Sequence, residues 1–149
     1  MARRILVPVD GSPTAQRGLE EALRLARPLD ASVVLLHVVE VYPMMMEMAT
    51  AATWEAVTTD LRRHGQEVLD RAREAALAQQ VACEAHLEDA SAARVCDVIT
   101  SQARAHDCDL IVMGTHGRRG LEHALIGSDA ERVVRQSPVP VLLVPARGR

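Results

Sequence analysis

Four runs rich in β-branched residues dominate the sequence: "RILVPVD" from Arg4, "SVVLLHVVE" over 32–40, "DLIVMG" from Asp109 and "VPVLLV" over 139–144. The stretches between them have helical periodicity. Ala15, Leu19, Ala22, Leu23 and Ala26 recur at i, i+4, i+7, i+8 and i+11, with Arg17, Glu20, Glu21 and Arg24 on the other side. Ser12 suits the N-cap of that helix and Pro13 its first position. A second helix is predicted over 53–80 from Trp54, Val57, Leu61, Val68, Leu69, Ala72 and Ala76. A third is predicted over 91–106 from Val95, Val98, Ile99 and Ala103. "QVACEAHLE", 80–88, alternates Val81, Cys83, Ala85 and Leu87 with polar residues, as an edge strand does. The order β-α-β-α-β-α-β-α-β, with continuous apolar strands, predicts an open parallel sheet covered by helices on both faces and joined by right-handed crossovers. Ligands of such sheets bind beyond the carboxyl ends of the strands, so Asp10 and Gly114 are expected to lie together there.

The chain has 149 residues, enough for one domain over 1–149 and too few for two. Net charge is −3, and Arg3, Arg4, Arg62, Arg63, Arg118 and Arg119 are scattered, without a basic stripe or interleaved aromatics, which argues against nucleic acid as a partner. All 17 cationic side chains are Arg. With no Lys, Schiff-base chemistry and a Walker-type phosphate lysine are excluded. Cys83, Cys96 and Cys108 are odd in number and widely spaced, indicating neither a disulfide framework nor a zinc motif and suiting a reduced cytoplasm. No apolar run approaches the roughly 18 residues of a membrane span, and the N-terminus lacks a signal-peptide pattern, so a soluble, unprocessed, cytoplasmic protein is expected.

The stretch "GTHGRRGLEHALIGSDAERVV", 114–134, follows a strand, carries four glycines and runs into a helix. Its spacing is Gly114-x2-Gly117-x9-Gly127-Ser128. Gly114 and Gly117 permit positive φ and close approach of the main chain to a ligand. Amides across Gly114, Thr115, His116, Gly117 and Arg118 could form an anion-binding concavity. Ser128 opens "SDAE", read as a capping box in which its oxygen takes the Glu131 amide proton and Glu131 reaches back. The last helix is therefore expected to begin at Ser128, with Gly127 leaving access to a helix end that attracts phosphate. Asp129 places a carboxylate in the first turn, which suits the dipole and repels phosphate if it points inward. Asp10 admits two readings, a ligand for Mg²⁺ directly or through water and a cap for the first helix together with Ser12.

Taken together and in order, "RILVPVDGS", "VVLLHVVE", "DLIVMGTHGRRG" and "GSDAERVVRQSPVPVLLV" resemble the universal stress protein family across essentially the whole chain, most specifically from Asp109 to Val144. That resemblance implies a Rossmann-like, adenine nucleotide alpha hydrolase-like sheet of five parallel strands in order 3-2-1-4-5. It also implies ATP bound with Mg²⁺ or Mn²⁺, and a homodimer formed along the last strand, 139–144. Carried onto this chain, Pro8 and Asp10 flank ribose, phosphates and metal, and Val38 meets adenine through its backbone. Met113 lines the pocket, and Gly114, Gly117, Gly127 and Ser128 take the phosphates. Pro138 and Pro140 suit a strand start at a sheet edge. The segment "LEDASAARVCDVI" lacks the Gly-x-Pro common after the third strand of that family.

The six histidines, His37, His64, His86, His106, His116 and His123, fall on separate elements without metal-ligand spacing and read as ordinary packing or surface residues; His116, in the phosphate loop, is the one to watch. The Met-rich segment 42–52 reads as apolar packing against a helix or subunit, or as a lid. No nucleophile and base form a recognisable pair, so catalysis is not expected beyond incidental ATP hydrolysis. The expected function is a nucleotide-dependent regulatory or stress-response module. Its rival is a dimeric interaction protein of the same family that binds no nucleotide.

Overall fold

The structure, a computed structural model, describes residues 3–41, 47, 50–90, 93–116 and 126–146. Nine elements alternate along these residues: β1 (Arg4–Pro8), α1 (Pro13–Leu29), β2 (Ser32–Val39), α2 (Ala51–Ala78), β3 (Cys83–Asp89), α3 (Val95–Ala105), β4 (Leu110–Gly114), α4 (Ser128–Gln136) and β5 (Val141–Val144). The strands form one parallel sheet in the order β3-β2-β1-β4-β5, the expected order. β1 and β4 are therefore neighbours although more than 100 residues separate them, and their ends define the point where the winding direction reverses.

Strand alternation divides the core in two. Ile5, Val7, Val33, Leu35 and Val112 pack with Leu19, Leu23 and Ala26 of α1 and Val68, Leu69 and Ala72 of α2. Leu6, Val34, Leu36, Ile111 and Met113 pack on the opposite face with Cys96, Ile99 and Ala103 of α3 and Ala130 and Val133 of α4. Adjacent residues of β1 and β2 are fully buried against opposite helical layers, which is why these strands read as unbroken apolar runs. Trp54, Val57 and Leu61, on the first half of α2, are only half-buried; that helix contributes to the core from Gly65 onward.

The helix ends have local causes. Ser12 Oγ accepts the Ala15 N–H at 3.2 Å, so α1 starts on the expected cap. Thr50 does the same for α2 through the Thr53 N–H, starting it two residues earlier than expected. α1, α2 and α3 all stop in one way. Asp30, Gln80 and Asp107 take left-handed φ values of 48°, 57° and 50°. The next amide in each case, of Ala31, Val81 or Cys108, donates back to the carbonyl of Ala26, Ala76 or Ala103 at 2.9–3.0 Å. This is the Schellman closure, and the residue after each turn is buried, as that closure favours. It ends α2 at Ala78 and excludes Val81 from β3. α3 spans Val95–Ala105, inside the expected 91–106; residues 91 and 92 lie outside the described set, as do Met44–Met46 and Met48 of the Met-rich segment.

The three cysteines are free thiols. Burial pushes the Cys108 thiol up to about 11 and raises those of Cys83 and Cys96. At pH 8 the Cys108 thiolate is then about one part in a thousand. The native protein is expected to react slowly with a disulfide reagent, first at half-buried Cys83, and to release three equivalents only in guanidinium. Fast labelling of Cys108 in the folded protein would contradict the packing described here.

Candidate functional site

The described sequence-predicted residues lie at or just beyond the carboxyl ends of β1, β2 and β4 and at the start of α4. β1 ends at Pro8; Val9 donates its amide to the Leu36 carbonyl at 2.8 Å, and the chain turns through Asp10 and Gly11 into α1. Gly11 has φ 83°, the one positive φ among the described glycines. Asp10 Oδ1 accepts the Ser12 N–H at 2.8 Å. The carboxylate thus shapes the turn before the helix, the capping role, while its half-buried position keeps it at the site edge.

Gly114 ends β4 and is buried, but not in the role expected of it. Its φ is not positive, and the space a Cβ would occupy is filled by α1. An added Cβ would lie 2.7 Å from Thr14 Cγ2 and 2.8 Å from the Thr14 carbonyl carbon and oxygen. Gly18 makes the complementary approach, with its own added Cβ 3.1 Å from the Gly114 amide. This glycine pair seats the first turns of α1 on the end of β4. Packing between helix and strand is thus sufficient reason for a glycine at 114.

The second half of the cradle comes from α4. Gly127 donates its amide to the Thr115 carbonyl at 2.6 Å and accepts the Glu131 N–H at 3.0 Å. It is the N-cap of α4, with φ −69° and ψ 157°, and no side chain caps this end. The expected capping box is therefore corrected: α4 does begin at Ser128, but Ser128 is already helical and exposed, and Glu131 pairs with Arg135 at 2.9 Å. A serine whose own backbone is in the first turn is too far along to cap it, and the residue in cap position has no side-chain oxygen. The leading amides of α4 are left without a side-chain acceptor of their own, which is what an anion requires of a helix end. Asp129, half-buried in that first turn, has its charge felt at Cys96 of α3, where it raises the thiol pKa together with burial and Asp97.

Between these helix ends Thr115 is buried, donates its amide to the Val144 carbonyl at 3.0 Å and holds His116 Nδ1 at 3.0 Å from its hydroxyl. His116 Nε2 is buried and has no hydrogen-bond partner among the described residues. Met113, near the end of β4, is buried in the α3–α4 layer, and Val38, half-buried, packs on that same layer at the end of β2. Gly117 and Arg118, expected phosphate contacts, lie outside the described residues, as does His123.

His37 is an internal packing residue: its Nδ1 lies 2.8 Å from the Val9 carbonyl and its ring meets His64 edge-on at 6.4 Å. His86 and His106 are different. They meet each other and Glu84, a grouping the sequence reading missed. The available signal was the Glu-x-His alternation on a strand, which sets both side chains on one face.

Three kinds of comparison place this geometry among known proteins. A family model described as the universal stress protein family matches residues 1–145. A universal stress protein of Methanocaldococcus jannaschii is 33% identical over 142 residues, covering 95% of this chain and 81% of that protein. A solved structure from the universal stress protein family of Burkholderia pseudomallei is 32% identical, with TM-score 0.76 and 96% of each chain covered. An Arabidopsis thaliana member, solved with AMP bound, is 21% identical with TM-score 0.69, covering 98% of this chain and 93% of that one. Two more structures of this fold, each 21% identical with TM-score 0.67, were solved with dAMP and with cAMP.

Proposed function

Because the chain belongs to the universal stress protein family, we propose that it is an adenine-nucleotide-binding regulatory module that takes ATP with Mg²⁺ at the carboxyl ends of β1 and β4. The observation that carries this reading is the cradle itself. The starts of α1 and α4, on opposite faces of the sheet, are drawn to the end of β4, one by the Gly18–Gly114 approach and the other by the Gly127–Thr115 hydrogen bond. Two helix dipoles then favour negative charge at one point. Neighbours of the same fold solved with AMP, dAMP and cAMP support an adenine nucleotide as the ligand class.

In this reading the first-turn amides from Ser128 onward take the phosphates, Gly127 leaves access to them, and Val38 offers its backbone to the base. Asp10 supplies the single carboxylate that Mg²⁺ needs beside phosphate oxygens, directly or through water. The donor set fits Mg²⁺ only in company with the nucleotide. The role is binding, not turnover: the Thr115 hydroxyl, bonded to His116, is buried and no third group orients that imidazole among the described residues.

A homodimer along β5 belongs to the same proposal. β5 is an outer strand, Pro138 and Pro140 precede it, and Leu142 of β5 and Val134 of α4 are exposed apolar side chains. A cytoplasmic site of action belongs to the proposal as well; among the described residues no helix is long and apolar enough to cross a membrane.

The test is thermal unfolding with and without MgATP, joined to chromatography of whatever nucleotide the purified protein retains. Ligand at 100 times its Kd adds about 2.7 kcal/mol, or roughly 5–10 °C for a chain of this size. A folded protein that retains no nucleotide and melts unchanged in millimolar MgATP would exclude this reading and leave the nucleotide-free dimer.

A further inference from the structure

We propose that Glu84, His86 and His106 form a binding site for a divalent transition-metal ion of the zinc class, separate from the carboxyl-end cradle. Glu84 and His86 alternate on β3 and pair in register with Val34 and Leu36, so both project on the face that carries α3. His106 is the residue that closes α3, and the Schellman turn after it returns the chain toward the start of β4. One edge strand and one helix end thus deliver three ligands of zinc-site chemistry, two imidazoles and a carboxylate.

The spacing suits a tetrahedral ion. Glu84 Oε1 lies 3.5 Å from His86 Nε2 and 3.4 Å from His106 Nδ1, and all three ligand atoms fall within 4.8 Å of one another. At metal–ligand distances of about 2.0–2.1 Å, tetrahedral ligands stand about 3.3–3.4 Å apart. Two edges of the triangle already have that length. The two rings stack at 4.0 Å between centroids, so holding one ion at Nε2 of one and Nδ1 of the other requires that stack to open to about 5 Å.

Two further observations point to an ion and not merely to a polar cluster. His86 Nε2 is buried and has no hydrogen-bond partner among the described residues; at 3.5 Å, Glu84 is too distant to serve. A buried imidazole nitrogen left in that condition is costly, and a metal ion satisfies it. His106 Nε2 lies 3.0 Å from Gln102 Oε1, an acceptor that fixes the proton on Nε2 and leaves the Nδ1 lone pair for coordination. The Arg4 guanidinium also pairs with Glu84, so an ion would share that carboxylate with it or displace it. Two nitrogens and one oxygen favour zinc over magnesium or calcium, which take oxygen ligands.

The experiment is calorimetric titration of the untagged, chelator-stripped protein with ZnCl₂ at pH 7.5, with bound metal counted after dialysis. One equivalent is expected to bind, and the His86→Ala/His106→Ala variant to bind at least 100-fold more weakly. Glu84→Gln, conservative in size, serves as the second variant should the double replacement misfold. Substitution with Co²⁺ is expected to give the intense visible absorption of tetrahedral coordination. Absence of zinc binding by the parent protein overturns the proposal. So does full retention of the ion by the variants, which would assign it to the cysteines or to another histidine.

Discussion

Gly114→Val is expected to lower the melting temperature by about 5–10 °C, because behind the Thr14 methyl the new side chain meets main chain that cannot turn aside. An added Cβ already meets the Thr14 carbonyl carbon and oxygen at 2.8 Å, and valine adds two methyl groups. Overpacking of this kind costs about 1–3 kcal/mol or somewhat more, and each kcal/mol moves the midpoint about 2–4 °C in a domain of this size. The expected rank is Gly114→Val, then Gly114→Ala, then Gly18→Ala, whose Cβ would meet main chain at the looser distances of 3.1 and 3.3 Å. Gly65→Ala is the control. Its Cβ would come closer still, 2.5 Å from His37 Cδ2 and 2.7 Å from Leu87 Cδ1, but these are side-chain atoms: half-buried Leu87 can turn aside, and the His37 ring has to pivot about its hydrogen bond to the Val9 carbonyl. If Gly65→Ala proved costlier than Gly114→Ala, the distinction between yielding and unyielding obstacles would be wrong here. A neutral Gly114→Val would remove the reason for seating α1 on β4. Beyond stability, this variant lifts the start of α1 from the cradle, so the response to MgATP is expected to fall with it.

The architecture was legible because burial on two faces leaves a plain mark. Residues 33–36 face alternate helical layers and all are apolar, so β2 stands out, and β1 and β4 do so for the same reason. β3 is fainter because it is an edge: Cys83, Ala85 and Leu87 pack inward while Glu84 and His86 leave the other face half-exposed. Its start was misplaced because Val81 is buried by a helix-closing turn, and burial alone does not separate a turn from a strand. No glycine marks that turn. Gln80, Asp30 and Asp107 accept left-handed backbone where glycine is the usual signal.

The site was legible as a place more than as a mechanism. Asp10 follows β1, Met113, Thr115 and His116 lie at the end of β4, and Gly127 ties the start of α4 to Thr115, all toward the carboxyl edge that the strand order names. What sequence could not assign was which partner each small residue makes room for. Gly114 and Gly127 look alike in a spacing pattern, yet one admits α1 and the other leaves a helix end uncapped. Ser128 looks like a cap because serine often is one, and a shift of one residue along the chain removes its oxygen from the amides it was expected to take. The histidines show the opposite case. Judged one at a time each is unremarkable, and only the return of α3 to β3 sets His106 beside His86 and Glu84.

Gly127→Asp is expected to strengthen the protein relative to Gly127→Ala and to weaken its binding of nucleotide at least tenfold. Both variants carry the same Cβ, 3.0 Å from the Thr115 carbonyl oxygen, so the difference between them isolates the carboxylate. Aspartate at an N-cap is worth roughly 0.5–2 kcal/mol over alanine, because its oxygen takes one of the free amides of the first turn. The aspartate variant is therefore expected to melt about 2–4 °C above the alanine variant without ligand. The same carboxylate then occupies the phosphate seat. A like charge at about 4 Å costs up to about 4 kcal/mol at an intermediate effective dielectric, nearly a thousandfold in affinity, and a tenfold loss is the least the geometry allows. Stability and binding thus move in opposite directions, which general damage to the fold cannot produce. Equal stabilisation of both variants by MgATP would show that the phosphates do not sit at the start of α4, and the nucleotide reading would have to rest on another part of the molecule.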